Sequence, residues 1–243
     1  MARRKSVTEI DPLSGKVTVV STSYVQKEVI KTQTQLHSRM FTNASYSCSV
    51  YAQRIKYAIV HKLNKTREKI AKELNNNAVD IRNKMLAMAN DTRNLDLEFS
   101  ISELTHTTHY EKQRLKNALD ELYNMSFDCE LAKPEDNAII KSSDPKYNYV
   151  FRLIYQYVID SEAEKVYISL TPTSYKIIFN FINQYSQYDY SIIRQFECKY
   201  SCRFYELFYS LTEPIEYNID TLKEKFQVNY NQPSDLIKKV VKP

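Results

Sequence analysis

Residues 95–131 read LDLEFSISELTHTTHYEKQRLKNALDELYNMSFDCEL, and this stretch decides the predicted fold. Leu95, Leu97 and Phe99 alternate with polar residues, as in a half-buried strand. Two capping boxes follow eight residues apart, Ser100 to Glu103 and Thr108 to Glu111, and each opens a helix. The second helix has apolar residues at helical spacing: Leu115, Ala118, Leu119 and Leu122. A second alternating strand then runs from Phe127 to Leu131.

Strand, helix, tight turn, helix, strand is the chain order of a winged helix-turn-helix. Residues 147–159 alternate as one long strand, with one set of residues on a common face: Phe151, Leu153, Tyr155 and Tyr157. Val166, Ile168 and Leu170 form a returning strand. A hairpin after the second helix of a helix-turn-helix is the wing, so we expect residues 147–170 to be that wing.

The last fifty residues predict a second helix-turn-helix. A helix is expected over Ser191–Leu211, a strand over Ile215–Tyr217, and a helix capped by Asn218. Pro233 opens a final helix at its favoured first position. This helix has one apolar stripe and one basic face, formed by Leu236, Ile237, Val240 and Val241 and by Lys238, Lys239 and Lys242.

The N-terminal third is predicted to be a polar arm followed by helices. Residues 1–41 are rich in Ser and Thr, although the valines at 17, 19 and 20 could pair as a short strand. Helical periodicity begins near Ser45, and the run Asn75-Asn76-Asn77 is expected to interrupt it.

Composition favours a helix-rich α+β protein without a nucleotide site. The 243 residues are 43% hydrophobic and 26% charged, which is ordinary for a globular protein. Gly15 is the single glycine, which excludes Gly-rich phosphate loops. The net charge is only +5, but residues 51–84 carry nine Lys or Arg against three acidic residues. Such clustering suits a polyanion-binding face, and it is also common on solvated helices.

No cofactor is expected. Cys48, Cys129, Cys198 and Cys202 form no CxxC pair, and nothing in their spacing requires a metal. The chain has no apolar run of membrane-spanning length, and no signal-peptide core follows the basic start. These features predict a cytoplasmic protein that does not interact with membranes.

The chain resembles the iteron-binding plasmid replication initiators, which have tandem winged-helix domains. The segment from Tyr185 to Leu207, with its core Arg203-Phe204-Tyr205-Glu206-Leu207, is similar to the junction that opens the second domain of that family. Ser47–Leu63 is similar to a first-domain helix, and Asp235–Val240 aligns with the helix that enters the major groove. The resemblance spans nearly the whole chain past residue 42.

The resemblance implies an arm over 1–41, a first winged-helix domain over 42–190 and a second over 191–243. It implies binding of double-stranded DNA at direct or inverted origin repeats, a homodimer paired through the first domain, and recruitment of a host replication initiator and helicase. Two departures stand out. Lysines replace the arginines usual in the recognition helix, and lysine lacks their bidentate fork. The sequence stops at Pro243, before the family's second wing, so the second domain is expected to be incomplete.

The candidate DNA-binding residues lie on three helices. Base contacts are predicted for four residues of the last helix: Ser234, Asp235, Lys238 and Lys239. Phosphate contacts are predicted for Arg203, Lys242, Lys112, Arg114 and Lys116. Arg203 has an equally weighted alternative, an ion pair with Glu206 on the same helix, and the lysines of the first domain could be a solvated face.

Two other functions remain open. A rolling-circle nicking enzyme would use one of the 20 tyrosines, but it also needs two histidines separated by one residue, and none of His37, His61, His106 and His109 is so spaced. The residues therefore predict a protein that is not an enzyme. A winged-helix repressor that controls its own gene, without a replication role, uses the same module and is not separated from an initiator by sequence.

Overall fold

The computed structural model describes residues 7–10, 16–20, 34–38, 41–42, 44–105, 112–130, 148–179, 185–209, 215–230 and 232–236. The helices are α1 (Val50–Glu73), α2 (Ala78–Met88), α3 (Ile101–Thr105), α4 (Lys112–Asn124), α5 (Pro172–Ile178), α6 (Tyr190–Ile193), α7 (Lys199–Phe208), α8 (Ile219–Phe226) and α9 (Pro233–Leu236). The strands are β1 (Val7–Ile10), β2 (Lys16–Val20), β3 (Thr34–Ser38), β4 (Asp96–Ser100), β5 (Ser126–Glu130), β6 (Asn148–Arg152), β7 (Ile154–Asp160), β8 (Lys165–Leu170), β9 (Tyr185–Asp189) and β10 (Ile215–Asn218).

The strands form small antiparallel sheets between the helices. Two sheets have three strands, in the orders β4-β8-β7 and β1-β2-β10, and two have a pair of strands, β3-β9 and β5-β6. The helix-rich α+β class predicted from composition is confirmed. Within the described residues, the structure contains no helix that is long and apolar enough to cross a membrane.

Two strands of this fold run directly into helices, and a further helix follows each of these pairs along the chain. We name α3 and α4 with the sheet β4-β8-β7 the first module, and β10 with α8 and α9 the second module. In each module the strand runs directly into its first helix, β4 into α3 at Ile101 and β10 into α8 at Ile219.

The long helix α1 organises the core of the first module. It begins at Ser49, whose side chain accepts a hydrogen bond from the Ala52 amide. Its buried face packs against α3 and α4, with Ile55, Ile59 and Leu63 at no more than 1% exposure. The largest hydrophobic cluster therefore joins α1 to α4 and to the sheet.

The asparagine run ends α1 as predicted. Asn75 and Asn76 have positive φ angles of 51° and 61°, in the left-handed region that asparagine tolerates better than most residues. Asn77 then caps α2, and its Oδ1 accepts hydrogen bonds from the amides of Val79 and Asp80. The turn lets α2 pack back against α1.

The second hydrophobic cluster is smaller and lies in the second module. Its buried members come from α7, α8 and α9: Leu207, Phe208, Ile219, Leu222, Phe226 and Leu236. Tyr205, one turn earlier on α7, belongs to the first cluster instead. Helix α7 thus contributes side chains to both cores.

The long strand predicted over residues 147–159 is wrong in two respects. The structure breaks it at Leu153, so that β6 pairs with β5 and only β7 pairs with β8. The amide of Thr171 and the hydroxyl of Ser174 both donate to the Leu153 carbonyl, which ties this point to the start of α5. Leu153 and Ile154 are both buried, and Tyr155, predicted on the same face as Leu153, is 67% exposed. The side-chain alternation shifts at the break, and the wing begins at Ile154.

The single helix predicted over Ser191–Leu211 is also wrong. It is divided into α6 and α7, and α6 begins one residue early at Tyr190, capped by the side chain of Asp189. In the break, Arg54 of α1 donates to the Phe196 carbonyl at 2.8 Å, while Gln53 donates to the Lys199 carbonyl at 3.0 Å. Side chains of α1 thus bind backbone carbonyls in and just after the interruption.

The predicted polar arm contains three strands. The valines at 17, 19 and 20 lie in β2, which confirms the alternative prediction of a short strand there. Strand β2 pairs with both β1 and β10. Strand β3 pairs with β9 directly before α6. Strands β1, β2 and β3 therefore belong to sheets that also contain strands of the C-terminal half.

Candidate nucleic-acid interface

Helix α3 of the first module begins with the predicted capping box. The Ser100 hydroxyl accepts from the Glu103 amide at 3.2 Å, and the Glu103 carboxylate accepts from the Ser100 amide at 2.7 Å. This reciprocal pair satisfies amides that the first turn of α3 leaves free. The second predicted box, Thr108 to Glu111, lies outside the described residues.

Helix α4 presents one buried face and one open face. Leu115, Ala118, Leu119 and Leu122 are buried as predicted. Its flanks are anchored to neighbouring elements, because the Ser49 amide donates to the Glu121 carboxylate at 2.8 Å and the Tyr157 hydroxyl donates to Asp120. Burial raises the pKa of Tyr157 to about 12, aided by its bond to Asp120, so the phenol keeps the proton it donates.

The open face of α4 carries the three predicted cations of the first module. Lys112, Arg114 and Lys116 are all exposed. Lys112 and Lys116 are one helical turn apart, and Lys116 forms a 2.7 Å surface ion pair with Asp120. Arg114 lies nearer α1, where it donates to the Tyr51 hydroxyl at 3.2 Å and packs over that ring.

The hairpin β7-β8 lies beside α3 and has the position of a wing. Its turn is closed by Asp160, whose Oδ1 accepts from the amides of Glu162 and Ala163. Glu164 adopts a left-handed φ of 52°, and its carbonyl accepts from the Ile101 amide at 2.9 Å. The wing tip is thereby attached to the first residue of α3.

In the second module, α9 follows α8 along the chain. Asn218 caps α8 as predicted, and Gln227 ends it at a φ of 47°, a left-handed position usually taken by glycine. Helix α9 begins at Pro233 as predicted, with Leu236 buried, Ser234 exposed and Asp235 half-buried. The predicted contact residues Lys238, Lys239 and Lys242 lie outside the described residues.

The structure supports the intramolecular alternative for Arg203. The side chain is 2% exposed, and its Nη1 lies 2.6 Å from the Glu206 carboxylate. The guanidinium also donates to the carbonyls of Thr42 and Ala44 and lies over the Tyr46 ring. Phosphate could reach this group only if the cluster around it opened, so Arg203 is not part of the DNA-contacting surface proposed below.

Lys56 completes that buried cluster and was not anticipated from sequence. Its ammonium lies 2.8 Å from the Glu206 carboxylate, it donates to the Tyr46 hydroxyl, and both charged side chains have no solvent exposure. Burial lowers the pKa of Lys56, although the negative charge of Glu206 acts to raise it. The cluster therefore connects α1, the segment around Tyr46 and α7 through charge. The residues next to Lys56 in the sequence do not indicate that this lysine is buried beside a carboxylate of another helix.

The basic excess of residues 51–84 is only partly available for DNA. Lys56 is buried, Arg54 donates to the Phe196 carbonyl, and Lys62 donates to the Glu98 carbonyl and lies over Phe99. Lys65 lines a shallow depression together with His61, Arg194 and Tyr190. The sequence pattern therefore overstated the cationic surface of this region.

Comparison with known families agrees with this geometry. The family model described as "Initiator Replication protein, WH1" matches residues 35–209, which run from β3 to the end of α7. No curated protein matches the chain significantly. A match over this share of the sequence shows the family, which the resemblance had predicted. The chain therefore belongs to the initiator replication proteins, the winged-helix DNA-binding family of plasmid replication initiators.

Proposed function

We propose that this protein initiates plasmid replication by binding repeated duplex DNA sequences at the origin. The observation that carries the proposal is the first module, in which an anchored helix α4 exposes its polar face beside a β7-β8 wing. An exposed second helix of this kind fits the major groove of B-DNA, while a wing can contact the flanking backbone. The family match supports the same activity.

The contacts are divided between the two modules. Lys112, Arg114 and Lys116 bind phosphates and position α4, because exposed cations gain affinity by releasing counterions. The last helix reads base edges with Ser234, Asp235, Lys238 and Lys239, while Lys242 binds a phosphate. In this proposal the modules are tandem winged-helix domains joined at α7.

The partners extend beyond DNA. We propose a homodimer paired through the first domain, and recruitment of a host replication initiator and helicase by the DNA-bound protein. Exposed apolar residues on the β6-β8 surface support a protein interface there, namely Val150, Tyr155, Val158 and Tyr167.

Selection of bound sequences from random duplex DNA tests the proposal. We expect one enriched motif that occurs as tandem direct repeats beside the gene, spaced by about two helical turns. A lone palindrome at the gene's own promoter would identify a repressor instead. Failure to enrich any motif would reject sequence-specific binding.

The assignment of base reading to the last helix needs a separate test. We expect the double variant Lys238→Ala/Lys239→Ala to lose affinity for the selected repeat, and to lose less on random duplex, in gel shifts at moderate salt. Lys84→Ala/Lys176→Ala, which removes two exposed lysines from α2 and α5, is the control. Equal affinity of the parent and the Lys238→Ala/Lys239→Ala variant would show that another element reads the bases.

A further inference from the structure

The two three-stranded sheets have the same strand order around a helix-turn-helix. In the first module the strand that enters the helices, β4, pairs with β8, and β8 pairs with β7. In the second module the corresponding strand, β10, pairs with β2, and β2 pairs with β1. All of these pairings are antiparallel. The hairpin β1-β2 thus has the place in the second sheet that the wing has in the first.

The residue registers agree as well as the strand order. The last residue of β4 is Ser100 and the last residue of β10 is Asn218, and each caps the helix that follows its strand. Each also pairs with the lysine that begins the middle strand of its sheet: Ser100 with Lys165 of β8, and Asn218 with Lys16 of β2. The pairs one residue earlier are Phe99 with Val166, and Tyr217 with Val17. A slip of one residue would turn every side chain to the opposite face, so the shared register is a specific correspondence.

The two hairpins are also similar in sequence. The wing reads Ile159-Asp160, four residues, then Lys165-Val166-Tyr167-Ile168, and the N-terminal hairpin reads Ile10-Asp11, four residues, then Lys16-Val17-Thr18-Val19. Ile159 pairs with Val166, and Ile10 pairs with Val17. Because connection length helps to set hairpin register, the equal spacing accounts for the equal pairing.

We propose that the paired strands β1 and β2 are the wing of the second module, supplied from the N-terminal part of the sequence, and that they belong to its duplex DNA-binding unit. The four-residue strand β10 needs ladder partners for its backbone N–H and C=O groups. The hairpin provides them and supports the strand from which α8 and α9 extend. The DNA-binding part of this inference rests on the proposed function, and the placement of the hairpin does not.

Disulfide trapping tests the placement. Thr18 and Glu216 are directly paired, and opposed strand residues have Cβ atoms close enough for a disulfide. We expect Thr18→Cys/Glu216→Cys to form this bond within one chain under mild oxidation, as identified by peptide mass spectrometry beside the four native cysteines. The control Thr18→Cys/Glu224→Cys places the second thiol on the exposed side of α8, and we expect it to form no disulfide. No bond, or equal bonding in both variants, would overturn the placement.

A proline tests the role in DNA binding. Thr18 lies in the central strand β2, where proline removes a ladder hydrogen bond, while Thr18→Val keeps the strand. We expect Thr18→Pro to bind the duplex selected by the parent at least about tenfold more weakly, the effect of losing one or two contacts, and Thr18→Val, which keeps the ladder, to lose much less affinity than Thr18→Pro. Hydrogen exchange should increase in β10 and stay slow in α1 and α4, which shows that the first core remains folded.

The outcomes separate this inference from the proposed function. If Thr18→Pro binds the selected duplex as tightly as the parent, the hairpin is not part of the DNA-binding unit. If the parent selects no duplex, the proposed function and its DNA-binding consequence fail together. Trapping and hydrogen exchange still decide whether the hairpin completes the second sheet.

Discussion

Glu206 lies between two buried cations, and the charge balance of the largest core depends on it. Its carboxylate binds Arg203 at 2.6 Å and Lys56 at 2.8 Å, and it also accepts from the Tyr46 hydroxyl. One carboxylate for two cations leaves a positive excess, which backbone carbonyls and aromatic rings around the cations reduce. Removing the anion should therefore cost more than removing the lysine.

We expect Glu206→Gln to lower the free energy of unfolding by about 3 kcal/mol, because two buried cations lose their charge partner. Lys56→Met should cost less than about 1 kcal/mol, because the Arg203 pair remains. Urea denaturation of both variants checks this, with Glu224→Gln on the surface of α8 as control. Equal losses for Glu206→Gln and Lys56→Met would contradict the proposed charge balance.

His61 makes the stability of the first core depend on pH. Its ring stacks on Tyr190 with centroids 4.6 Å apart, and burial, with repulsion from Lys65 and Arg194, lowers its pKa to about 4. Glu103 acts weakly in the opposite direction. The imidazole is therefore neutral in the folded protein at a pH where the unfolded chain, with a histidine pKa of about 6.5, already binds a proton.

The contribution of His61 to stability should be present above pH 6.5 and lost progressively as the pH falls towards 4. Because the His61 side chain is only partly buried, we expect a loss of only about 1 kcal/mol. Thermal melts from pH 7.5 to 4 should show a shallower pH dependence in His61→Gln than in the parent. A His61 proton-resonance midpoint near 6.5 in the folded protein would contradict this assignment.

At the scale of elements, α4 is held on one side and open on the other. Bonds from Ser49, Tyr157 and Arg114 fix its flanks, while Lys112 and Lys116 extend from its first two turns. These contacts hold in place the helix that carries both exposed lysines. The element thus has the rigidity that a DNA-positioning helix requires.

We expect Lys112→Ala/Lys116→Ala to weaken duplex binding and to reduce the slope of log affinity against log salt by about 2, one unit for each lost phosphate contact. Lys84→Ala/Lys176→Ala removes two exposed lysines from α2 and α5 and should change neither quantity. Fluorescence anisotropy over a salt series provides both values. An unchanged slope in the α4 variant would show that these lysines are only a solvated face.

At the scale of the whole molecule, α7 joins two hydrophobic cores. Tyr205 packs into the first cluster, Leu207 and Phe208 pack into the second, and Arg203 and Glu206 bind α1 and the segment before it. The first cluster also extends past residue 190, since Ile193 belongs to it. The two cores are therefore linked through one helix with charged as well as apolar contacts.

The surface of the first core carries the proposed dimer interface. Strand β7 is at the edge of its sheet, and Val158 on it is 55% exposed. We expect Val158→Lys to shift the protein towards the monomer, because a charge on an edge strand opposes pairing with another chain. Sedimentation equilibrium measures the shift, with Val79→Lys on α2 as a matched exposed control. The same association constant in both variants would place the dimer contact elsewhere.

Features encoded over a few residues were predictable from the sequence. The capping box at Ser100, the asparagine turn before α2, the apolar face of α4 and the start of α9 at Pro233 depend on neighbouring side chains and backbone groups, and each is present in the structure. The family was predicted correctly because its motifs are recognised by their order and spacing in the sequence.

Features that depend on contacts between distant residues could not be predicted in this way. The break at Leu153 requires α5, the burial of Arg203 requires residues 42–46, and the pairing of β2 with β10 joins residues almost 200 positions apart. The periodicity of a sequence indicates which side of a helix or strand is apolar. It does not indicate which other element covers that side, or which charged side chains are buried there. Hence the capping residues and apolar faces of the helices were predictable from local sequence. For Arg203, the sequence left a DNA contact and an ion pair with Glu206 equally open, and only the folded arrangement of α7, α1 and the segment before α1 decided for the buried ion pair.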